Sequence, residues 1–85
     1  MKLLVKEESG EGLEFFYGKT ITLFCGVYIY TGELVGINDT CVKLDNAKIV
    51  YETGPLTSGS WKDAQALPGS WYVTRQSIES FGALK

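Results

Sequence analysis

Residues 32–44 read GELVGINDTCVKL, and this stretch decides the fold class that the sequence predicts. Its first half alternates like a β-strand, yet it contains two glycines, Gly32 and Gly36, four positions apart. Glycine weakens a regular strand, so a glycine inside one indicates a bulge, a sharp bend or a close backbone approach. A short polar tip follows at residues 38–40, and residues 41–44 return as a second strand. We therefore predict a long, strongly bent strand with a returning partner, as in a small β-barrel.

The segments on either side of this stretch add further strands. The residues before it alternate in the way expected of a half-buried strand, and they are rich in β-branched and aromatic types. Asp45 and Asn46 have turn chemistry that can interrupt a third strand. Residues 13–17 can form one turn of helix or an entry strand. We therefore predict an all-β fold with five strands, at residues 20–25, 27–37, 41–51, 71–74 and 77–81.

The composition fits one small folded domain. The chain has 85 residues, of which 45% are hydrophobic and 21% are charged, and a domain of this size gains stability from association. Residues 1–14 form an acidic segment with four glutamates and two lysines, in which Gly10 and Gly12 oppose a stable helix. The predicted domain spans residues 15–85 and contains a long connection at residues 52–69, rich in glycine, proline and serine.

Three short stretches together resemble the conserved motifs of the Sm and Sm-like (LSm) family, which includes bacterial Hfq. The GEL sequence at residues 32–34 is similar to the centre of the first motif, residues 19–26 to the strand before it, and residues 72–78 to the second motif. The resemblance covers residues 19–47 and 70–81. It implies a small, five-stranded, strongly bent SH3-like barrel (the Sm-like fold), in which the N-terminal helix common in the family is short or absent.

The same resemblance implies a function in RNA binding. Members of the family form closed rings in which edge strands pair between subunits, and such closure protects the exposed edges of a small barrel. We expect a homo-oligomeric ring that binds single-stranded RNA, in short U- or A-rich tracts, at its pore. Arg75 is the only arginine of the chain, and arginine can bind phosphate, stack on a base or pair with a base edge. The expected RNA-binding residues are Asn38, Asp39, Thr40, Arg75 and Gln76.

Local structure offers a second role for several of these residues. Asn, Asp and Thr side chains commonly bond the backbone of their own turn, so residues 38–40 can serve only to hold the turn. Arg75 can instead form an ion pair with Asp39 or Asp45 of a neighbouring subunit. Both alternatives are compatible with the sequence.

The aromatic residues also leave two interpretations open. Thr40 stands where the family's loop carries a base-stacking aromatic residue; Tyr28 and Tyr30 can replace it on another face of the ring, or can belong to the barrel surface or a subunit interface. Trp61, in the connection at residues 52–69, can pack back onto the barrel or contact a partner. The alternative function is therefore a structural or protein-interaction ring that does not bind RNA.

Other classes of function are disfavoured by what the sequence lacks. It contains no histidine and no glycine-rich phosphate loop, so we expect no enzymatic activity, no cofactor and no metal site. Cys25 and Cys41 are expected to be reduced and to behave as small buried hydrophobic residues. No apolar run approaches the roughly 20 residues that span a membrane, and we expect a cytoplasmic protein. The net charge of −2 predicts a modest, strongly salt-dependent affinity for RNA.

Overall fold

Antiparallel strands, most of them with alternating apolar and polar side chains, hold about half of the residues that the structure describes. The computed structural model describes residues 10–85, and within that range it contains six strands, two short 3-10 turns and no α-helix. The 3-10 turns lie at Leu13–Phe16 and Arg75–Ser77. Most of the predicted acidic segment, residues 1–9, lies outside the described residues. The strands are β1 (Thr20–Cys25), β2 (Ile29–Ile37), β3 (Cys41–Glu52), β4 (Asp63–Ala66), β5 (Trp71–Thr74) and β6 (Ile78–Gly82).

The six strands form one antiparallel sheet in the order β4-β3-β2-β1-β6, and β5 also pairs with β3. The long strand β3 pairs with two further strands along its length: its first half pairs with β5 and its second half with β4. Among the described strands, β5 and β6 do not pair with each other, so the sheet is open. The prediction of an all-β fold is confirmed.

The structure has six strands where the sequence predicted five. The additional strand, β4, lies inside the long connection predicted at residues 52–69, and it pairs with the end of β3. Its sequence, DAQA, has no alternation of large apolar residues and therefore carries no strand signal. Of the five predicted strands, β1 and β5 have the predicted bounds, and the others begin or end within two residues of them.

The bend in β2 occurs at its two glycines. Pairing with β3 shifts register between Thr31 and Glu33, and again between Leu34 and Gly36. At the first shift, a Cβ atom on Gly32 would lie 3.0 Å from the Ala47 Cα atom. The opposite strand, β3, continues through this region, and its residue Asn46 has a positive φ of 51° at the register shift. Gly32 is therefore the point where the two backbones approach too closely for a side chain, as in a β-bulge.

The buried core lies between the inward faces of the strands. Ile21 and Leu23, at alternate positions of β1, are completely buried, and Leu13 holds the first 3-10 turn against them. The buried Thr31 hydroxyl donates a hydrogen bond to the Ile21 carbonyl oxygen at 3.1 Å, so this polar group is satisfied inside the fold. The buried apolar residues are Leu13, Ile21, Leu23, Leu34, Val42, Leu44, Ala47, Val50 and Val73.

The tryptophan packed against this core is Trp71, whereas Trp61 lies under the side chain of Lys85. The Lys85 ammonium group is 4.5 Å from the centre of the Trp61 ring. It also donates hydrogen bonds to the carbonyl oxygens of Thr53, at 2.5 Å, and Ser60, at 2.7 Å. The Lys85 ammonium group thus forms hydrogen bonds near both ends of the irregular segment between β3 and β4.

We expect Lys85→Met to loosen this segment, because methionine keeps an unbranched side chain but donates no hydrogen bond. The loss should be about 1 kcal/mol of local stability, seen as faster amide hydrogen exchange at residues 53–62. Lys62→Met is a matched control, since its ion pair with Glu52 is 3.5 Å long and largely exposed and such pairs contribute little. Equal exchange in the two variants would contradict this role of Lys85.

Candidate nucleic-acid interface

The tight turn at residues 38–40, which joins β2 to β3, is held by one side chain. The Oδ1 atom of Asn38 accepts hydrogen bonds from the backbone N–H groups of Thr40 and Cys41, both at 2.8 Å. It also accepts one from the Thr40 hydroxyl at 3.1 Å. The carbonyl end of the Asn38 side chain is thus committed to its own turn, one of the two roles that its sequence position allowed. Asp39, at the tip, is exposed.

Arg75 is attached to this turn by two hydrogen bonds. Its backbone N–H donates to the Thr40 carbonyl oxygen at 2.8 Å, and its Nη1 group donates to the Asn38 carbonyl oxygen at 3.0 Å. The structure therefore brings together the 38–40 turn and the corner between β5 and β6, which are far apart in the sequence. Both of these acceptors are neutral carbonyl oxygens, so neither hydrogen bond compensates the positive charge of Arg75.

Gln76 follows Arg75 in the 3-10 turn and is exposed. It lines a cleft together with residues 72–74 of β5, and it does not line the smaller cleft to which Asn38 belongs. Four of the five residues expected to bind RNA (Asn38, Asp39, Thr40 and Arg75) therefore form one cluster, and Gln76 lies at its border.

Two residues that the sequence analysis did not select lie beside this cluster. Lys43 on β3 and Tyr72 on β5 are direct cross-strand partners, and the Lys43 ammonium group lies 5.9 Å from the centre of the Tyr72 ring. The Tyr72 side chain is 60% exposed although it is aromatic. Lys43, Tyr72 and Asn38 line a shallow cleft of about 210 Å³, which we call the Lys43–Tyr72 cleft.

The alternation of β5 gave a signal for one of these residues. Val73 is buried, so its neighbours Tyr72 and Thr74 must face outward. Lys43 could not be connected with Tyr72 from the sequence, because that connection depends on the register between β3 and β5. A lysine beside an exposed ring is a favourable cation–π arrangement.

Gly36 keeps the Lys43–Tyr72 cleft open. It lines the cleft, and a Cβ atom at this position would lie 3.3 Å from the Cβ atom of Lys43. A side chain here would therefore press on the stem of Lys43 and fill the space beside Tyr72. The second glycine of β2 thus serves both the bend of the strand and the shape of this surface.

The charges near the cleft balance, although the chain as a whole is acidic. Lys43 and Arg75 are positive, and Asp39 and Asp45 are negative, with Asp45 two residues from Lys43 on β3. Asp45, the other carboxylate considered as a partner of Arg75, accepts a hydrogen bond from the Ser70 hydroxyl at 2.6 Å. The carboxylate of Asp45 thus has a partner within its own chain.

The two cysteines are free in the structure, and each is half-buried. Burial raises the pKa of the Cys25 thiol above its ordinary value, so this thiol is protonated at neutral pH and is a weak nucleophile. Residues 10–85 contain no cluster of three or more cysteine, aspartate or glutamate side chains suited to a metal ion. In the same range, no helix is long and apolar enough to cross a membrane.

Comparisons with known proteins gave no match. The chain matches no protein-family model, no curated protein and no solved structure. The functional conclusion therefore depends on the geometry of the Arg75 cluster and the cleft next to it.

Proposed function

We propose that this protein is a small Sm-like barrel that binds single-stranded RNA through the 38–40 turn, Arg75 and the Lys43–Tyr72 cleft. The observation that carries the proposal is the hydrogen-bonded attachment of Arg75 to the 38–40 turn, whose Asn38 also lines the cleft that contains the exposed Tyr72 ring and Lys43. A cation, a stacking platform and hydrogen-bonding groups are the parts from which single-strand binding sites are built.

Each group has a separate task in this proposal. Tyr72 stacks on a base, and Lys43 contacts the phosphate next to it. The Arg75 guanidinium has five N–H donors, and because Asn38 engages Nη1, the donors of Nη2 and Nε are the ones that contact the ligand. Asn38 and Thr40 position Arg75, since their side chains are bonded to each other. Asp39 and Gln76 offer hydrogen-bonding groups to base edges at the border of the site.

The barrel itself is supported by the connections between the strands. Two bulges bend β2, a single 3-10 turn joins β5 to β6, and β6 returns to pair with β1. Strands arranged in this way curl the sheet towards closure, which is the geometry of SH3-like barrels. The additional strand β4 extends the far end of β3 and lies away from the Arg75 cluster.

The edges that this sheet leaves open support the proposal of a homo-oligomeric ring. Among the described strands, β4 and β5 pair only with β3 and β6 only with β1, so each of the three presents one unpaired edge. In the proposed ring, the β5 edge of one subunit pairs with the β6 edge of the next and the ring closes by cyclic symmetry, while β4 keeps its own open edge. The ring repeats the Arg75 cluster once per subunit, which gives avidity for a continuous RNA strand.

The alternative function, a protein-interaction ring that uses Trp61, has less support. One face of the Trp61 ring is already covered by the Lys85 ammonium group, and the segment around it is held by hydrogen bonds from the same group. A partner would have to displace these contacts before it could use the ring.

A fluorescence-anisotropy titration with labelled oligo-uridine and oligo-adenosine tests the proposal. We expect saturable binding that weakens with salt, with a slope of about −0.7 for each phosphate contacted. Tyr72→Ala should weaken binding roughly tenfold, because stacking contributes about 1–3 kcal/mol per base. Tyr72→Phe, which keeps the ring, should bind like the unaltered protein.

Tyr17→Ala is the control for that titration, since Tyr17 is 47% exposed and lies outside the proposed site. Absence of binding to both oligonucleotides at low salt would contradict RNA binding. Equal affinities of Tyr72→Ala and Tyr17→Ala would show that Tyr72 is not the stacking residue. Sedimentation velocity on the same samples measures the mass of the assembly and tests the ring.

A further inference from the structure

The ammonium group of Lys85 lies in a site that is built from neutral groups. Its Nζ atom donates hydrogen bonds to the carbonyl oxygens of Thr53, at 2.5 Å, and Ser60, at 2.7 Å. It also lies 4.5 Å from the centre of the Trp61 ring. Two carbonyl dipoles and one aromatic face attract a cation, and the three N–H donors of a primary ammonium group suit them. We call the two carbonyl groups and the Trp61 ring the ammonium site.

The ammonium site holds Lys85 without a negative charge. Among residues 10–85, no carboxylate forms an ion pair with Lys85, whereas the nearby Lys62 is paired with Glu52. The ring and the carbonyl oxygens are therefore the whole source of attraction. Such contacts favour a positively charged donor, because a neutral group gains no cation–π attraction and forms weaker hydrogen bonds.

The backbone holds the ammonium site in place independently of Lys85. Thr53 directly follows β3, and its carbonyl oxygen also accepts a hydrogen bond from the Lys62 backbone N–H at 3.4 Å. This bond joins the two ends of the segment that carries Ser60 and Trp61. Residues 83–85 belong to no strand, so Lys85 can leave without unpairing β6 from β1. The frame of the site is fixed, and its occupant is exchangeable.

The ammonium site opens into a cleft that is large enough for a ligand. The cleft has a volume of about 610 Å³, and Ser60, Trp61 and Lys85 line it together with residues of β2, β3 and β4. Apart from Lys85, its charged residues are two lysines and two acids, namely Lys48, Lys62, Glu33 and Asp63. These four charges balance, so a cation that enters in place of Lys85 meets no net repulsion.

We propose that the ammonium site binds primary alkylammonium groups, those of a lysine side chain or an aliphatic amine, and that Lys85 of the same chain occupies it in their absence. A ligand of this class restores each contact that Lys85 gives up, so the exchange costs neither a hydrogen bond nor the cation–π contact. Lys85 competes as a tethered group with an effective concentration in the millimolar range. It therefore sets the concentration at which an external ammonium group enters.

A heteronuclear NMR titration of Lys85→Ala with n-butylammonium chloride tests the proposal, with the indole N–H signal of Trp61 as the reporter. We expect a saturable shift of this signal, half complete at millimolar concentration, because a ligand this small makes few contacts. The indole signal of Trp71, which packs against the core, is the internal control and should not move. An equal concentration of n-butanol, which has the alkyl chain without the charge, should not shift either signal.

Lys62→Ala is the matched control variant. It removes a lysine from the same cleft but leaves Lys85 in the ammonium site, so it should need about tenfold more amine than Lys85→Ala for the same shift. The unaltered protein should respond like Lys62→Ala. Its titration also tests the site without any substitution, in case Lys85→Ala alters the structure of the segment between β3 and β4.

Two further probes distinguish the sources of the ammonium group. One is a short blocked peptide with a single central lysine, and the other is cadaverine, a free diamine. Tighter binding of the peptide than of n-butylammonium identifies a lysine of a partner protein, whose backbone then contacts the cleft. Tighter binding of cadaverine than of the peptide identifies a free amine. Both results support an ammonium site.

Three results would overturn the proposal. Absence of a Trp61 shift in both Lys85→Ala and the unaltered protein would show that the site accepts no external ammonium group. An equal response to n-butanol would make the site an apolar pocket. A change in sedimenting mass in Lys85→Ala would mean that Lys85 occupies the site of a neighbouring copy.

The ammonium site shares no residue with the proposed RNA site, and the two proposals are tested separately. Lys85→Ala should bind oligo-uridine like the unaltered protein, whatever affinity that protein has. The amine titration contains no RNA, so its outcome does not depend on whether the RNA proposal holds.

Discussion

Gly32→Val is expected to lower the free energy of unfolding by about 2–3 kcal/mol, because it forces a side chain into a filled space. A Cβ atom at this position would lie 3.0 Å from the Ala47 Cα atom and 3.1 Å from the Asp45 carbonyl oxygen. Both obstacles are backbone atoms of β3, so they can move only if the bulge itself rearranges. The two γ-methyl groups of valine add to a conflict that the Cβ atom alone already creates.

Gly36→Val is the matched control for Gly32→Val. The nearest obstacle at Gly36 is the Cβ atom of Lys43, at 3.3 Å, followed by its Cδ atom at 3.8 Å. A lysine stem on the outer face can turn aside, and valine has a higher β propensity than glycine. We therefore expect a cost below about 1 kcal/mol for Gly36→Val. Urea denaturation of the three proteins measures the difference, and equal midpoints for the two variants would contradict the close approach at Gly32.

The strands with strong local patterns could be predicted from the sequence. β1 and β5 were predicted with their observed bounds, because their residues alternate in the way typical of strands, although the structure also buries Thr22 on the second face of β1. The glycines of β2 indicated a bend, since few other features explain glycine inside a strand. In each case the information lies within a few neighbouring residues.

The features that depend on distant contacts could not be predicted in this way. β4 exists because the end of β3 offers a backbone edge, and its own residues Asp63–Ala66 show no apolar pattern. The turn chemistry of Asp45 and Asn46 suggested a break in β3; the strand is continuous there, but its pairing with β2 shifts register and Asn46 has a positive φ. Likewise, the contact between Lys85 and Trp61 joins two segments, and no pattern in the sequence indicates that they lie close together.

The candidate site was predictable in part for the same reason. The resemblance selected Arg75 and residues 38–40, and the structure places them in direct contact. It did not select Lys43 and Tyr72, because the chain carries its exposed aromatic residue on β5 and not in the 38–40 turn. Only the register between β3 and β5 shows that this ring lies next to the turn.

Arg75→Ala is expected to reduce RNA affinity at least tenfold, since hydrogen bonds that involve a charged group contribute about 1.5–3 kcal/mol each. Repetition of the site around a ring would multiply the loss for a long oligonucleotide. The variant should also show a smaller dependence of affinity on salt, because one cation per subunit no longer contacts phosphate. Anisotropy titrations at two salt concentrations measure both effects.

Arg75→Lys separates the charge of this residue from its geometry. Lysine keeps the positive charge but cannot hold the Asn38 carbonyl oxygen while presenting a planar set of donors to the ligand. We therefore expect Arg75→Lys to keep the salt dependence of the unaltered protein and to bind RNA with an affinity between that protein and Arg75→Ala. An affinity equal to that of Arg75→Ala would mean that the fork of donors, not the charge, recognises the ligand.

Loss of binding in Arg75→Ala has a structural explanation that must be distinguished from loss of a ligand contact. The side chain donates to the Asn38 carbonyl oxygen at 3.0 Å, but the backbone N–H of residue 75 also holds the Thr40 carbonyl oxygen at 2.8 Å. The second bond survives the substitution, and Asn38 continues to hold the turn from within. We therefore expect the stability to fall by only about 1 kcal/mol and the sedimenting mass to stay the same. Unchanged RNA affinity in a variant that meets both conditions would place the RNA site elsewhere on the protein.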